Sequence, residues 1–156
     1  MRTPKLHHAT IFMSALLLVY HQVTTLVPIY PWNDVEKYTK KELLLEAGFN
    51  GVLMGTGLIC LILPNSGFSR WYPILYYPFL FVGECFDWWI PYFSESFAKS
   101  RRIWDYEAHF ARTLKWIPHR PGKRTPDANH IVLHLLTIIT ILMVYLNDSY
   151  LLEIGK

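Results

Sequence analysis

Charged side chains are scarce in this sequence. Asp, Glu, Lys and Arg together make up 17% of its 156 residues, whereas a soluble domain usually carries about 25%. Hydrophobic residues account for 52% and aromatic residues for 16%, which excludes an intrinsically disordered chain. The apolar residues fall in long blocks, and this predicts a single domain embedded in a membrane.

Cysteine is almost absent as well. Only Cys60 and Cys85 occur, and they do not form a CxxC pair. This excludes a disulfide scaffold and leaves the redox compartment open.

Four apolar stretches organise the chain and predict an all-α integral membrane protein, a bundle of four transmembrane helices. They cover approximately residues 9–27, 43–63, 71–93 and 131–146. The first could be a signal peptide, but no small-x-small cleavage site follows it, so we expect it to remain as a span. The third contains three prolines and is the least regular of the four. We expect Asn33 or Asp34 to cap the helix of the second span.

Basic residues predict the orientation, because short loops rich in Lys and Arg stay in the cytoplasm. They concentrate in the first and third loops: Lys37, Lys40, Lys41, Lys99, Arg101, Arg102, Arg112, Lys115, Arg120, Lys123 and Arg124. We therefore expect a cytoplasmic loop over about 94–129 and both termini on the non-cytoplasmic side. The net charge of +3 is thereby explained without a nucleic acid partner.

Two further patterns concern packing. Ile103, Phe110, Leu114 and Ile117 are spaced to form an amphipathic helix on the membrane surface within the long loop. Ala47, Gly51 and Gly55 form a small-xxx-small stripe on the second span. Such a stripe packs within a bundle or mediates homo-oligomer or partner contacts.

Ionisable residues inside the spans are the strongest functional signal, because a charge in hydrocarbon costs about 2.5 kcal/mol or more. All of them fall in the half of the membrane next to the predicted cytoplasmic loops. They are His21 in the first span, Glu46 with Asn50 in the second, Glu84 with Asp87 in the third, and His130 with His134 in the fourth. The paired residues are three or four positions apart, so each pair is expected to share one helix face.

Histidine and carboxylate side chains in a helical bundle suit a zinc, iron or manganese site. The predicted metal ligands are His21, Glu84, Asp87, His109, His130 and His134, and the predicted catalytic residues are Glu84, Asp87 and Glu46. A haem with His21 and either His130 or His134 as axial ligands is an alternative. The His130-x-x-x-His134 pattern resembles one element of the histidine boxes of membrane desaturases and hydroxylases, and four spans with buried carboxylates resemble the sterol-isomerase-like membrane fold. The HxxHH boxes are missing, so no family is assigned.

Three functions follow from these residues. The first is a small membrane metalloenzyme, an oxidoreductase or hydrolase, that takes a lipophilic small-molecule substrate from the surrounding membrane lipids. The second is a metal-free lipid-binding isomerase or a proton-coupled transporter that uses Glu84 and Asp87. The third is a non-catalytic membrane subunit.

Overall fold

The computed structural model describes residues 4–63, 67–94, 106–120 and 123–154, and every regular element within them is helical. The elements are α1 (Pro4–Leu26), a 3₁₀ turn (Val35–Lys37), α2 (Lys40–Ile62), α3 (Gly67–Glu84), a π-turn (Cys85–Trp89), α4 (Ile90–Phe93), α5 (Tyr106–Phe110) and α6 (Ala128–Ile154). The π-turn joins α3 to α4 without a break in the helical backbone.

Three of the described helices are long and apolar enough to cross a membrane. They are Lys5–Leu26, Lys40–Ile62 and Ala128–Asp148. The third apolar stretch, which contains Pro73 and Pro78 inside α3, is helical but is not among them.

The four long helical segments pack as a ring. Helix α1 lies between α2 and α6, and α3 lies between α2 and α6 on the other side. A small apolar core that includes Leu17, Met54, Tyr77 and Val144 lies where the four segments meet. One end of this ring carries the 3₁₀ turn, α5 and the start of α6, and we call it the polar end.

Burial is inverted relative to a soluble bundle. Buried polar residues recur at heptad-like spacing along α1 and α6: Thr10, Ser14, His21 and Thr24 on α1, and His134, Thr137, Thr140 and Asn147 on α6. Large apolar side chains face outward instead; Phe79, for example, is 75% exposed. An apolar exterior around polar interhelical contacts is typical of a bundle solvated by lipid.

Two local expectations were wrong. Thr39, not Asn33 or Asp34, caps α2, and it forms a reciprocal capping box with Glu42. The helix of the long loop ends at Phe110, so Leu114 and Ile117 are not helical; Ile103 lies outside the described residues. The segment after Phe110 is held instead by backbone bonds that Leu114 makes to Pro31 and Ala128.

Candidate functional site

The polar end is built around an aspartate and histidine pair at the start of α6. Asp127 caps the helix, since its Oδ1 accepts the backbone N–H of His130 at 3.0 Å. The same oxygen lies 2.7 Å from His130 Nδ1. The Asp127 side chain is 1% exposed, so this contact is protected from water.

Aromatic rings fix the plane of the His130 imidazole. The Trp88 ring lies 3.8 Å from it, centroid to centroid, and Phe110 meets it edge-on at 5.5 Å. Because Asp127 occupies Nδ1, Nε2 is the ring nitrogen left for chemistry. An oriented imidazole with one nitrogen committed to a carboxylate is the arrangement used for general bases and for metal ligands.

His130 borders two cavities. The inner one has a volume of about 70 Å³ and is lined by both polar and apolar side chains. They are His21, Thr24, Thr25, Asn33, Asp34, Val35, Tyr38, Leu43, Glu46, Phe110, Asp127, Asn129, His130 and Leu133. We call the outer one the cleft, and its volume is about 430 Å³. It is lined by Tyr38, Glu42, Leu45, Glu46, Phe49, Asn50, Asp87, Trp88, Phe110, Arg124 and His130. The two share Tyr38, Glu46, Phe110 and His130.

The cleft is lined by both charged and apolar side chains. Three carboxylates and one guanidinium line it, and Arg124 donates a hydrogen bond to the carbonyl oxygen of Asp87 at 3.3 Å. Leu45 and Phe49, on the outer face of α2, are 63% and 69% exposed. Such a cleft can take a molecule with a polar head and an apolar body.

The loop after α1 closes the inner cavity and is strongly anchored. The Asn33 amide donates to the carbonyls of Thr24 and Val27 and accepts from the backbone of Ile29. Asp34, whose side chain is 3% exposed, accepts a bidentate contact from Arg112. The hydrogen bond and charge of Asp34 raise the pKa of the Arg112 guanidinium.

Electrostatics at the loop follow from burial and pairing. Burial raises the pKa of the Tyr38 phenol, and the Glu46 charge adds to this shift, so the phenol stays a donor at neutral pH. Burial also opposes ionisation of Asp127, but the charge and hydrogen bonds of His130 outweigh it and hold the pKa of that carboxyl below its usual range. The pair is therefore an anionic carboxylate facing an imidazole.

A second group of polar side chains lies deeper, between α3 and α6. We call Glu84, Trp89, His134 and Thr137 the core cluster. The Thr137 hydroxyl lies 2.8 Å from Glu84 Oε1, and the Trp89 indole donates to His134 Nδ1 at 2.9 Å. The π-turn makes this possible: Ile90 N–H bonds to Cys85 O, an i to i+5 contact that widens the helix, and Glu84 and Trp89 both reach α6.

The structure thus divides the residues predicted from sequence. His21, Glu46 and His130 line the inner cavity, and Glu46, Asn50, Asp87 and His130 line the cleft. Glu84 and His134 belong to the core cluster, while the His109 ring lies 4.4 Å from the Tyr38 ring, tilted by 35°, beside the cavities.

The expectation that Glu84 and Asp87 share one helix face was wrong, because the π-turn begins between them. Glu84 is 8% exposed and Asp87 is solvent-exposed. Within the described residues, no three His, Cys, Asp or Glu side chains lie close enough together to hold a metal ion.

Sequence reasoning missed Asp127, Tyr38, Trp88 and Arg124. Asp127 carried a recognisable signal, since an Asp three residues before a His at the start of an apolar helix fits an N-cap. The other three carried no local signal, because tertiary packing brings them to the cleft beside His130.

Ala47 and Gly51 of the small-residue stripe contact α1 within the bundle. Gln22 of α1 donates to the Ala47 carbonyl at 3.0 Å, and a side chain at Gly51 would meet the Gln22 amide at 3.0 Å. A side chain at Gly55 would meet nothing within 4 Å. Ala47 and Gly51 therefore allow the close approach of α1 and α2.

The fold and site define an all-helical protein with three helices of membrane-spanning character. No protein family, no curated protein and no solved structure matches the chain.

Proposed function

We propose that this chain is a small membrane enzyme that uses His130 as a general acid and base on a lipophilic substrate bound in the cleft. The Asp127–His130 contact of 2.7 Å carries the proposal. Asp127 fixes the tautomer and stabilises the imidazolium that forms when Nε2 takes a proton. Trp88 and Phe110 keep the ring in place, so little reorganisation is needed during the reaction.

The cleft supplies the binding part of this proposal. Glu46, Asn50 and Asp87 offer oxygen and amide groups to the polar end of a substrate, and Arg124 offers a cation. Leu45 and Phe49 form an apolar threshold through which a chain or ring can enter from the bilayer. Removal of a proton from an activated carbon and its return to another, as in a lipid isomerisation, needs only an acid and base such as His130 and a cleft that binds the substrate.

Crossing of the membrane by four helices is part of the proposal. Residues 67–93 form 27 residues of continuous helix, about 40 Å at 1.5 Å per residue, enough for a core of about 30 Å. Exposed apolar side chains follow its outer face from end to end: Phe68, Trp71, Leu75, Phe79, Val82, Phe86 and Phe93. The excess of basic residues in the loops favours an orientation with the polar end at the cytoplasmic leaflet and both termini outside.

Labelling of single cysteines tests this topology in a variant with Cys60→Ser and Cys85→Ser. Phe68 and Phe93 are matched probes, 68% and 64% exposed at opposite ends of the segment. In sealed vesicles, a membrane-impermeant maleimide should reach only one of Phe68→Cys and Phe93→Cys from the outside. Labelling of both from the same side would contradict four spans.

Activity is tested by reconstituting the protein with the lipid extract of its expression host and following the lipids by mass spectrometry. Wild type and the remote control His8→Gln should convert the same lipid, whereas His130→Gln should lose at least about a hundredfold in rate. A folded His130→Gln variant with wild-type turnover would refute His130 as the acid and base.

A metal-dependent variant of this function is a second proposal: His21, Glu46 and His130 line the same small inner cavity, although they would have to move closer together to hold a metal ion. Two imidazoles and a carboxylate suit zinc, iron or manganese. Elemental analysis of the purified protein tests it. Stoichiometric metal that is lost in Glu46→Gln and retained in His8→Gln would favour the metalloenzyme, and an absorbance spectrum would detect haem.

A further inference from the structure

The core cluster contains two buried polar atoms that have no hydrogen-bond partner among the described residues. They are Glu84 Oε2 and His134 Nε2. Glu84 is 8% exposed and His134 is 2% exposed. A buried polar atom left without a partner costs about 1–3 kcal/mol, so it needs an explanation.

The contacts of Thr137 are best satisfied by a neutral Glu84. The Thr137 hydroxyl lies 2.8 Å from Glu84 Oε1 and 3.0 Å from the carbonyl oxygen of Leu133. A hydroxyl has one hydrogen and can donate to only one of these oxygens. When Glu84 is a neutral acid, its O–H can donate to Thr137, which then donates to Leu133, so that each contact has its own hydrogen; an ionised Glu84 would have to share the Thr137 hydrogen with Leu133.

The surroundings of Glu84 favour the same state. No ion pair to Glu84 forms in the part of the chain that the structure describes, and the residue lies between α3 and α6. An isolated carboxylate is very costly to bury, whereas a neutral carboxyl with a hydrogen-bond partner is not.

His134 adds an unpartnered donor to the cluster, and this donor makes no hydrogen bond to Glu84 in this structure. Since the Trp89 indole donates to Nδ1, the hydrogen of the neutral imidazole lies on Nε2. The unpartnered atoms are therefore complementary, one a donor on His134 and the other an acceptor on Glu84. They belong to one cluster, because His134 and Thr137 are one helical turn apart and their partners flank the π-turn.

We propose that Glu84 is a proton-exchange site in the bundle core, distinct from the Asp127–His130 pair. Its O–H bond breaks to deliver a proton to a water molecule, and the electron pair stays on the carboxylate. The His134 Nε2–H group then stabilises the new charge, and return of the proton from hydronium restores the acid. This role goes beyond the acid and base assigned to His130 and does not depend on it.

Infrared spectroscopy of the intact protein in lipid bilayers at neutral pH tests the proposal without a substrate. A neutral carboxylic acid has a carbonyl stretch separate from that of a carboxylate. We expect such a band in wild type, a shift on ¹³C labelling of glutamate, and its loss in Glu84→Gln. Absence of a glutamate acid band would overturn the proposal, even if Glu84→Gln failed to fold.

Two threonines of α6 provide a matched comparison. Thr137 and Thr140 are both fully buried, but Thr140 bonds only to the Leu136 carbonyl. Thr137→Val should move the acid band to higher frequency and Thr140→Val should leave it unchanged. Equal effects of the two variants would contradict the assignment.

Deuterium exchange distinguishes an exchange site from a sealed structural acid. After transfer to D₂O, the wild-type band should shift within minutes. His134→Phe should slow this shift by about tenfold or more, the loss expected when a hydrogen bond to a charged group is removed. A band that does not shift over a day, or that shifts equally fast in His134→Phe, would overturn the proposal.

Discussion

Replacing Asp127 separates the two tasks of this carboxylate. Asp127→Ala removes the cap of α6 and the acceptor for the His130 ring. Loss of an N-cap costs about 1 kcal/mol, and loss of a hydrogen bond to a buried charged group costs about 1.5–3 kcal/mol. One oxygen makes both contacts, so the two losses are not independent, and we expect about 3 kcal/mol in total.

Asp127→Asn is the control, because asparagine caps helices as well as aspartate does and keeps an acceptor oxygen. Only the charge is lost, at a cost of about 1 kcal/mol. The free energy of unfolding can be measured by tryptophan fluorescence in mixed detergent micelles with increasing SDS. Equal losses for Asn and Ala, or an Ala variant within about 0.5 kcal/mol of wild type, would refute this account of the polar end.

The same carboxylate predicts an acid dependence. His130 holds the pKa of Asp127 below its usual range, although burial acts in the opposite direction. The resulting stabilisation is fully present above the unfolded pKa of about 3.9 and is lost as the pH falls through the lower pKa of the folded state. The stability gap between wild type and Asp127→Asn should therefore close as the pH falls below about 3.9. A gap that does not change with pH would contradict this.

Further substitutions test one packing contact and one ion pair. A side chain at Gly57 would lie 2.8 Å from the Tyr77 hydroxyl, so Gly57→Ala should destabilise the protein by about 1–3 kcal/mol in the same unfolding assay. Gly55→Ala is the control. Its side chain would meet nothing within 4 Å, so this variant should be neutral or slightly stabilising. Arg112→Ala leaves the buried Asp34 carboxylate without its bidentate partner. Because the Arg112 side chain is 57% exposed, we expect a modest loss of stability, seen as a lower melting temperature. An unchanged melting temperature would show that water replaces the guanidinium without cost.

The sequence predicted the helices better than the site. The apolar stretches at 9–27, 43–63 and 131–146 correspond to α1, α2 and α6, although α6 extends from Ala128 to Ile154. Continuous apolar composition is a strong signal over twenty residues. The third stretch was harder to predict, because Pro73, Pro78 and several tyrosines lower its hydropathy while its outer face stays apolar.

The division of the polar residues into two sites was not predictable from spacing. Regular helix geometry predicts that Glu84 and Asp87 lie together, but the π-turn between Cys85 and Trp89 changes the register. A π-turn of five residues leaves no periodic mark in a sequence. Asp127 was missed for another reason: its burial depends on a loop that packs across the start of α6.

The π-turn sets the rotational phase between the two halves of the helix that contains it. Each residue of an α-helix advances by about 100°, and the π-turn holds one residue more than a regular turn, so a regular α-helix through the same residues would turn Trp88 and Trp89 by about that angle relative to Glu84. Trp88 would leave His130, and Trp89 would leave His134, although neither histidine had changed. The geometry of the cleft and that of the core cluster therefore both depend on the same π-turn.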